Sequence, residues 1–264
     1  RDGKEEPVIK RERVLVTGAG GFIGHHLARF LKKKGYWVRG VDIKYPEYSS
    51  TDEMDEFMLL DLRDFENCKK AVAGIDKVYN LAADMGGIGF ITAVKADLVR
   101  NNILINTNMA EASRLANVKR LFFSSSACIY PKYKQESPEV TPLKESDAYP
   151  ADPEDGYGWE KLISERMYKN FQEDHGLDVR IARFHNIFGP EGTYDGGREK
   201  APAAICRKIA IAKEGDEVEI WGDGKQTRSF CYVDDCVEAI YRLMESNFSD
   251  PLNIGSSELI NIND

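Results

Sequence analysis

The sequence predicts an α/β protein, a doubly wound parallel sheet with helices on both faces and a smaller C-terminal domain that has no closing element. Three observations lead there. Short apolar runs alternate with helical stretches up to about residue 190, a glycine-rich turn joins the first run to the first helix, and beyond residue 190 the alternation breaks down.

The elements follow in order. RVLVTG (13–18) reads as a buried strand with a glycine stop, and FIGHHLARFLKKKG (22–35) as a helix ending in glycine. YWVRGVD (36–42) is a second strand and FMLLDL (57–62) a third, followed by a helix from about Glu66 to Ala73. KVYNLAA (77–83) is the fourth strand. A long helix carrying Asn102, Asn106 and Met109 leads to the strand RLFFSSS (120–126). YGWEKLISERMYKNFQEDHG (157–176) has strong helical periodicity, and LDVRIARFHNIFGP (177–190) is another strand and its exit. These place the first domain at 12–190, with 229–248 returning to it through the helix DDCVEAIYRLMES (234–246). Residues 191–228 and 249–264 form the second domain, with a helix near 200–213, the turn-rich WGDGKQTRS, a strand end at NIGSS and a helix start at ININD.

Composition narrows the function. The chain has 264 residues, 42% hydrophobic and 30% charged, an ordinary globular balance. A net charge of −8 disfavours nonspecific nucleic-acid binding. No apolar stretch is long enough for a membrane span. RDGKEEPVIKRE at the start is too charged for a signal peptide and lacks an initiator Met, so residues are expected to be missing at this end. Cys68, Cys128, Cys206, Cys231 and Cys236 are odd in number and show no CxxC spacing, which points away from disulfides or structural zinc and toward a reducing, cytoplasmic setting. His25, His26, His175 and His185 show no HxxxH or HxH pattern, so no metal is expected.

Two motifs carry chemistry. In TGAGGFIG (17–24), Gly18 permits a tight turn, Gly21 lets a pyrophosphate approach the backbone, and Gly24 lets helix and strand pack closely. Asp42 ends the next strand, 24 residues after Gly18. A carboxylate there accepts hydrogen bonds from an adenosine ribose and repels a 2′-phosphate, which favours NAD over NADP in a Rossmann-like fold. Asp61 and Leu62 end the third strand, where an adenine edge would lie; a solvated loop charge is the competing reading of Asp61. The second motif is Tyr157-Gly-Trp-Glu-Lys161, with Tyr and Lys on one helix face, and Ser126 closing a strand 31 residues earlier. An ammonium beside a phenol favours the phenolate, which can take the proton of a hydroxyl while hydride leaves to NAD.

TGAGGFIG, Asp42, NLAA (80–83), Ser126, YxxxK, RFHNIFGP and WGDGKQTRSFCYVDD in this order resemble the extended short-chain dehydrogenase/reductase superfamily, in its nucleotide-sugar epimerase and dehydratase subset, from about residue 12 to the end. ADMGGIGF, SSACIYP, GGREKAP and QTRSF further resemble the GDP-mannose 3,5-epimerases. The GDP-fucose synthases share the cysteine segment but carry a histidine in place of Lys200 and prefer NADPH, against Asp42. A 4-epimerase using Tyr157 alone is a further alternative, and a silent NAD-binding scaffold is the non-enzyme reading.

The resemblance implies the following roles. Gly18, Gly21, Phe22, Ile23, Gly24, Asp42, Asp61, Leu62 and Ala82 would bind NAD together with Tyr157 and Lys161. Tyr157 would exchange the proton of the sugar 4-hydroxyl beside Ser126, and Cys128 and Lys200 would be the acid/base pair at carbons 3 and 5. Gly86, Ser126, Asn186, Glu199, Ala201, Lys208, Gln226 and Arg228 would line the sugar-nucleotide site, with Lys208 and Arg228 suited to the pyrophosphate. Cys128 as a small buried residue and Lys200 and Lys208 as surface charges are the bland alternatives. The resemblance also implies a homodimer built on helices 92–116 and 157–175, and a further arginine from a segment beyond Asp264.

Overall fold

The structure, a computed structural model, describes residues 11–85, 93–134, 142–220, 222–225 and 227–263. Its main sheet has seven strands, all parallel: β1 (Arg13–Thr17), β2 (Trp37–Asp42), β3 (Glu56–Leu59), β4 (Lys77–Asn80), β5 (Arg120–Ser126), β6 (Val179–Phe184) and β10 (Leu252–Ile254), in the spatial order β10-β6-β5-β4-β1-β2-β3. The order reverses between β1 and β4, the crevice where open α/β sheets bind ligands at their carboxyl ends.

Period-two alternation divides β1 between two cores. Val14 and Val16 pack toward α1 (Phe22–Lys33) and α6 (Val233–Glu245), whereas Leu15 packs toward α2 (Phe65–Val72) and α3 (Ala96–Leu115). The helix α4 (Gly156–His175) covers the second face beside α3, with Tyr168 in its core. Asp64 and Asp155 cap α2 and α4 by accepting N–H bonds from Glu66 and Gly158, each at 2.8 Å. Gly176, at φ 71°, stops α4.

Outside this sheet lie α5 (Ala201–Ile211), a parallel pair of β7 (Ile187–Phe188) with β9 (Cys231–Tyr232), and an antiparallel pair of β8 (Thr227–Arg228) with β11 (Ile260–Asn261). Here the structure differs from the sequence reading. Leu252–Ile254 joins the main sheet in parallel register with Ala182–Phe184, and ININD does not open a helix: Ile260 pairs with Arg228 and Asn261 with Thr227. The partner strand is far along the chain, so local pattern did not reveal it. Among the described residues no helix is long and apolar enough to cross a membrane.

Candidate active site

The β1 strand delivers the chain to Gly18, where φ is 71° and a Cβ would lie 3.0 Å from the Ala82 nitrogen. A Cβ on Gly24 would come 1.9 Å from the Gly18 carbonyl oxygen, so α1 packs directly onto the turn. The N-cap of α1 is Gly21, without a side-chain cap. Its first N–H groups are therefore left for an anion. Gly18, Gly21, Phe22, Ile23 and Gly24 line a cleft of about 1160 Å³, larger than the ~300–1,000 Å³ of common ligand pockets and roomy enough for a dinucleotide beside a second ligand.

Asp42 also lines this cleft. Its Oδ2 accepts the Gly20 N–H at 2.9 Å and its Oδ1 the Ile43 N–H at 2.7 Å, which fixes the carboxylate against the turn. Burial still pushes its pKa up. Asp61, Leu62 and Ala82 line the same cleft, and Arg63 joins them, paired with Asp61 at 2.7 Å and holding that carboxyl below its ordinary value. A close-packed glycine cradle, an uncapped helix N-terminus and a carboxylate at the end of β2 fit a dinucleotide without a 2′-phosphate.

Across the cleft, Ser126 ends β5 and Tyr157 and Lys161 face it from the first turns of α4. Ser126 Oγ accepts the Cys128 N–H at 3.2 Å, and the Ser126 hydroxyl works against the rise of both the Tyr157 phenol and the Cys128 thiol. Lys161 is 2% exposed; its Nζ donates to the Ser124 carbonyl at 3.0 Å and lies 5.5 Å from the Tyr157 ring centroid. Burial drives both toward their neutral forms, raising Tyr157 well above the ordinary phenol value and lowering Lys161, while Glu160, 4.0 Å from the Lys161 ammonium, opposes the loss of its charge. Glu160 itself, buried and with one carboxylate oxygen unpartnered, is pushed up to about 7.

Cys128 packs against the Leu98–Tyr157 cluster, and burial raises its thiol. Lys200 is the N-cap residue of α5 and lines the cleft. It is open to solvent, yet enclosed by the cleft walls closely enough that its pKa is lowered; Cys128 opposes that shift, as Lys200 opposes the rise at Cys128. The two groups thus act on each other electrostatically, Lys200 from the cleft lining and Cys128 from beside Tyr157, where it is not itself among the lining residues. Both are favoured in the neutral form, a thiol that can give a proton and an amine that can take one.

The remaining expected residues divide. Asn186 lines the cleft, held at φ 43° with its amide donating to the Ser229 carbonyl at 3.0 Å. Glu199, Ala201, Lys208 and Arg228 are not among the lining residues. Lys208 donates to the Glu219 carbonyl at 2.8 Å, and Arg228 to the Thr227 carbonyl at 2.9 Å. Gly86 and Gln226 lie outside the described residues.

Sequence reasoning missed Asn101 on α3, Tyr194 and Arg198 on a loop, and Tyr232 on β9, all lining the cleft from elements that only the fold brings together. It also missed that His25, His26 and Glu191 bring possible metal-ligand atoms within 4.8 Å of one another. Arg29 already occupies the shared Glu191 oxygen at 2.8 Å, which works against a cation there.

Residues 14–255 match the family model described as NAD dependent epimerase/dehydratase family. The chain is 52% identical over 253 residues to GDP-mannose 3,5-epimerase of Arabidopsis thaliana, covering 96% of this chain and 67% of that protein, so it spans about two thirds of that relative's length. Among solved structures, UDP-glucose 4-epimerase of Thermotoga maritima with UDP-glucose superposes with a TM-score of 0.83 at 27% identity, over 95% of this chain and 79% of that one. The UDP-glucose 4-epimerase of Thermus thermophilus, solved with NAD, gives 0.79 at 26% identity, over 95% and 79%. With the glycine cradle, Asp42 and the Ser126–Tyr157–Lys161 group in one cleft, this chain belongs to the NAD dependent epimerase/dehydratase family.

Proposed function

We propose that this chain epimerises GDP-mannose at carbons 3 and 5, giving GDP-L-galactose and GDP-L-gulose. The observation that carries the reading is that Cys128 packs against Tyr157 while Lys200 lines the same cleft as Ser126, Tyr157 and Lys161. A 4-epimerase needs only the latter three. The 52% identity to a protein named for this activity supports the same substrate.

The chemistry requires these residue types. A sugar C–H is too weak an acid for any side chain. Tyr157, with the Ser126 hydroxyl favouring its phenolate against burial and Lys161 5.5 Å from its ring, takes the proton from the 4-hydroxyl. NAD, when bound, supplies the acceptor for the hydride leaving carbon 4 and returns it at the end. The hydrogens on carbons 3 and 5 are acidified by the neighbouring ketone. One member of the Cys128–Lys200 pair removes a proton from one face of the ring and the other delivers a proton to the opposite face. Tyr157 then returns its proton as the ketone is reduced.

Deuterium incorporation tests this directly. The protein is incubated with NAD and GDP-mannose in heavy water, with UDP-glucose as control, and carbons 3 and 5 are read by NMR. Deuterium at both carbons is expected. Turnover of UDP-glucose without exchange on GDP-mannose would replace this reading with a 4-epimerase.

The proposal includes a homodimer in the cytoplasm. Ile103 on α3 and Trp159 and Ile163 on α4 are 38%, 47% and 60% exposed on adjoining helices, an apolar face suited to an isologous bundle with a second copy. Five free thiols suit a reducing compartment. Sedimentation is expected to give a dimer for the native chain and a monomer for Ile163→Asp; a native monomer would end this part of the proposal.

A further inference from the structure

Residues 191–198 belong to no helix or strand, yet both ends of the segment are fastened. Glu191 has φ 63°, a left-handed backbone that a residue with a side chain keeps only where its surroundings enforce it. Those surroundings are three residues of α1. Glu191 Oε2 lies 2.8 Å from His25 Nε2 and accepts from Arg29 Nη2 at 2.8 Å, and His26 Nε2 lies 2.9 Å from the preceding Pro190 carbonyl. At the far end Arg198 Nη1 donates to Asp84 Oδ1 at 3.4 Å and to the Met85 carbonyl at 3.2 Å. Asp84 is itself anchored by α3: its N–H donates to Asn102 Oδ1 at 2.6 Å, and its Oδ2 accepts from Asn101 at 3.3 Å.

One fastening is therefore on the first turns of α1, beside the uncapped N-terminus, and the other is just past the exit of β4. Between them Gly192 lies over the Phe22 ring, and Tyr194 meets Tyr48 with ring centroids 5.8 Å apart. Glu191, Gly192, Thr193, Tyr194 and Arg198 line the same cleft as the glycine turn.

We propose that residues 191–198 are a strap retaining NAD in the cleft between the two hydride transfers, with Glu191 on Arg29 and His25 as one fastening and Arg198 on Asp84 as the other. The need is chemical. An epimerase must return the hydride it took; if the reduced cofactor left first, the sugar would be stranded as a ketone. The inference rests on NAD-dependent epimerase chemistry and not on which sugar nucleotide is used, so it can fail while the GDP-mannose reading stands, and the reverse.

The experiment measures escape of the cofactor. Protein loaded with NADH is mixed with excess NAD, and the loss of nicotinamide fluorescence gives the release rate without any sugar present. Release is expected to be about tenfold or more faster in the double variant Glu191→Gln/Arg198→Ala than in the native chain, with the single variants between. Added salt is expected to speed release from the native chain but barely from the double variant. A swapped pair, Asp84→Arg with Arg198→Asp, is expected to restore slow release that Arg198→Asp alone loses. This rescue separates a fastening from general damage. Release from a folded double variant within about twofold of the native rate, or a swap that restores nothing, would overturn the strap.

Discussion

Cys128→Ala is expected to lower epimerisation by ~10²–10⁴, the ordinary worth of a general acid or base, while GDP-mannose binding changes only a few-fold. The thiol is partly buried against Tyr157 and Leu98, where alanine is tolerated sterically. On the proposed reading, what the substitution removes is the proton carrier for carbons 3 and 5. The same substitution leaves Tyr157 and Lys161 in place, so a first-turnover signal of NADH formation is expected to survive. Tyr157→Phe is expected to do the reverse and abolish that signal, because no acidified C–H exists before oxidation. Single-turnover absorbance for NADH and deuterium exchange for the carbons separate the two variants. Loss of the NADH signal and of exchange alike in Cys128→Ala would remove Cys128 from the acid/base role.

The largest stability effect is expected one helical turn beyond the site. Glu165 on α4 and Arg183 on β6 form a bidentate pair at 2.9 and 3.0 Å, with side chains only 4% and 3% exposed. Ser125 donates to the same carboxylate at 2.5 Å, and Arg183 donates onward to Tyr130 Oη at 3.2 Å and to the Glu145 carbonyl at 2.9 Å. Removing one partner leaves a buried charge without compensation, so Glu165→Ala is expected to destabilise by ~3–5 kcal/mol in denaturant unfolding. Replacing both, as Glu165→Met with Arg183→Met, is expected to recover much of that loss, because the uncompensated charge is gone. If Glu165→Ala costs under ~1 kcal/mol, the pair contributes little and α4 is held by its apolar face alone. The same carboxylate ties α4 to β5 through Ser125, next to Ser126, so activity is expected to fall with stability in the single variant.

Most of the cofactor half was legible in the sequence. Thr17 to Gly24 must turn, approach an anion and pack in eight residues, and Asp42 ends the very next strand, so spacing alone places them together. Tyr157 and Lys161 share a helix face for the same local reason. The α1 to α4 elements were legible because each carries its own periodicity and its own stop. Leu252–Ile254 was not, since three residues have no period and their place beside β6 is decided by the sheet edge. Asn80 and Asn106 show the limit from another side. Read along the chain they are polar residues in a strand and a helix. In the fold Asn80 accepts from Thr17 at 2.7 Å and donates to Asn106 at 3.1 Å and Tyr168 at 2.8 Å, a buried network joining β1, β4, α3 and α4.

The sequence by itself determined the fold class, the order of the strands' signals, NAD over NADP through one carboxylate, and the pairing of Tyr157 with Lys161 on one helix face. Each of these rests on residues within one turn, one helix face or two successive strands. The tertiary structure alone decided which of the distant residues meet the cleft. It brought Lys200 and Asn186 to the cleft and Cys128 against Tyr157, left Lys208 and Arg228 off the lining, and drew Glu191 and Arg198 across to α1 and Asp84. These residues are joined by loops, whose paths carry no periodicity and are set by ion pairs and packing with segments about a hundred residues or more away in sequence.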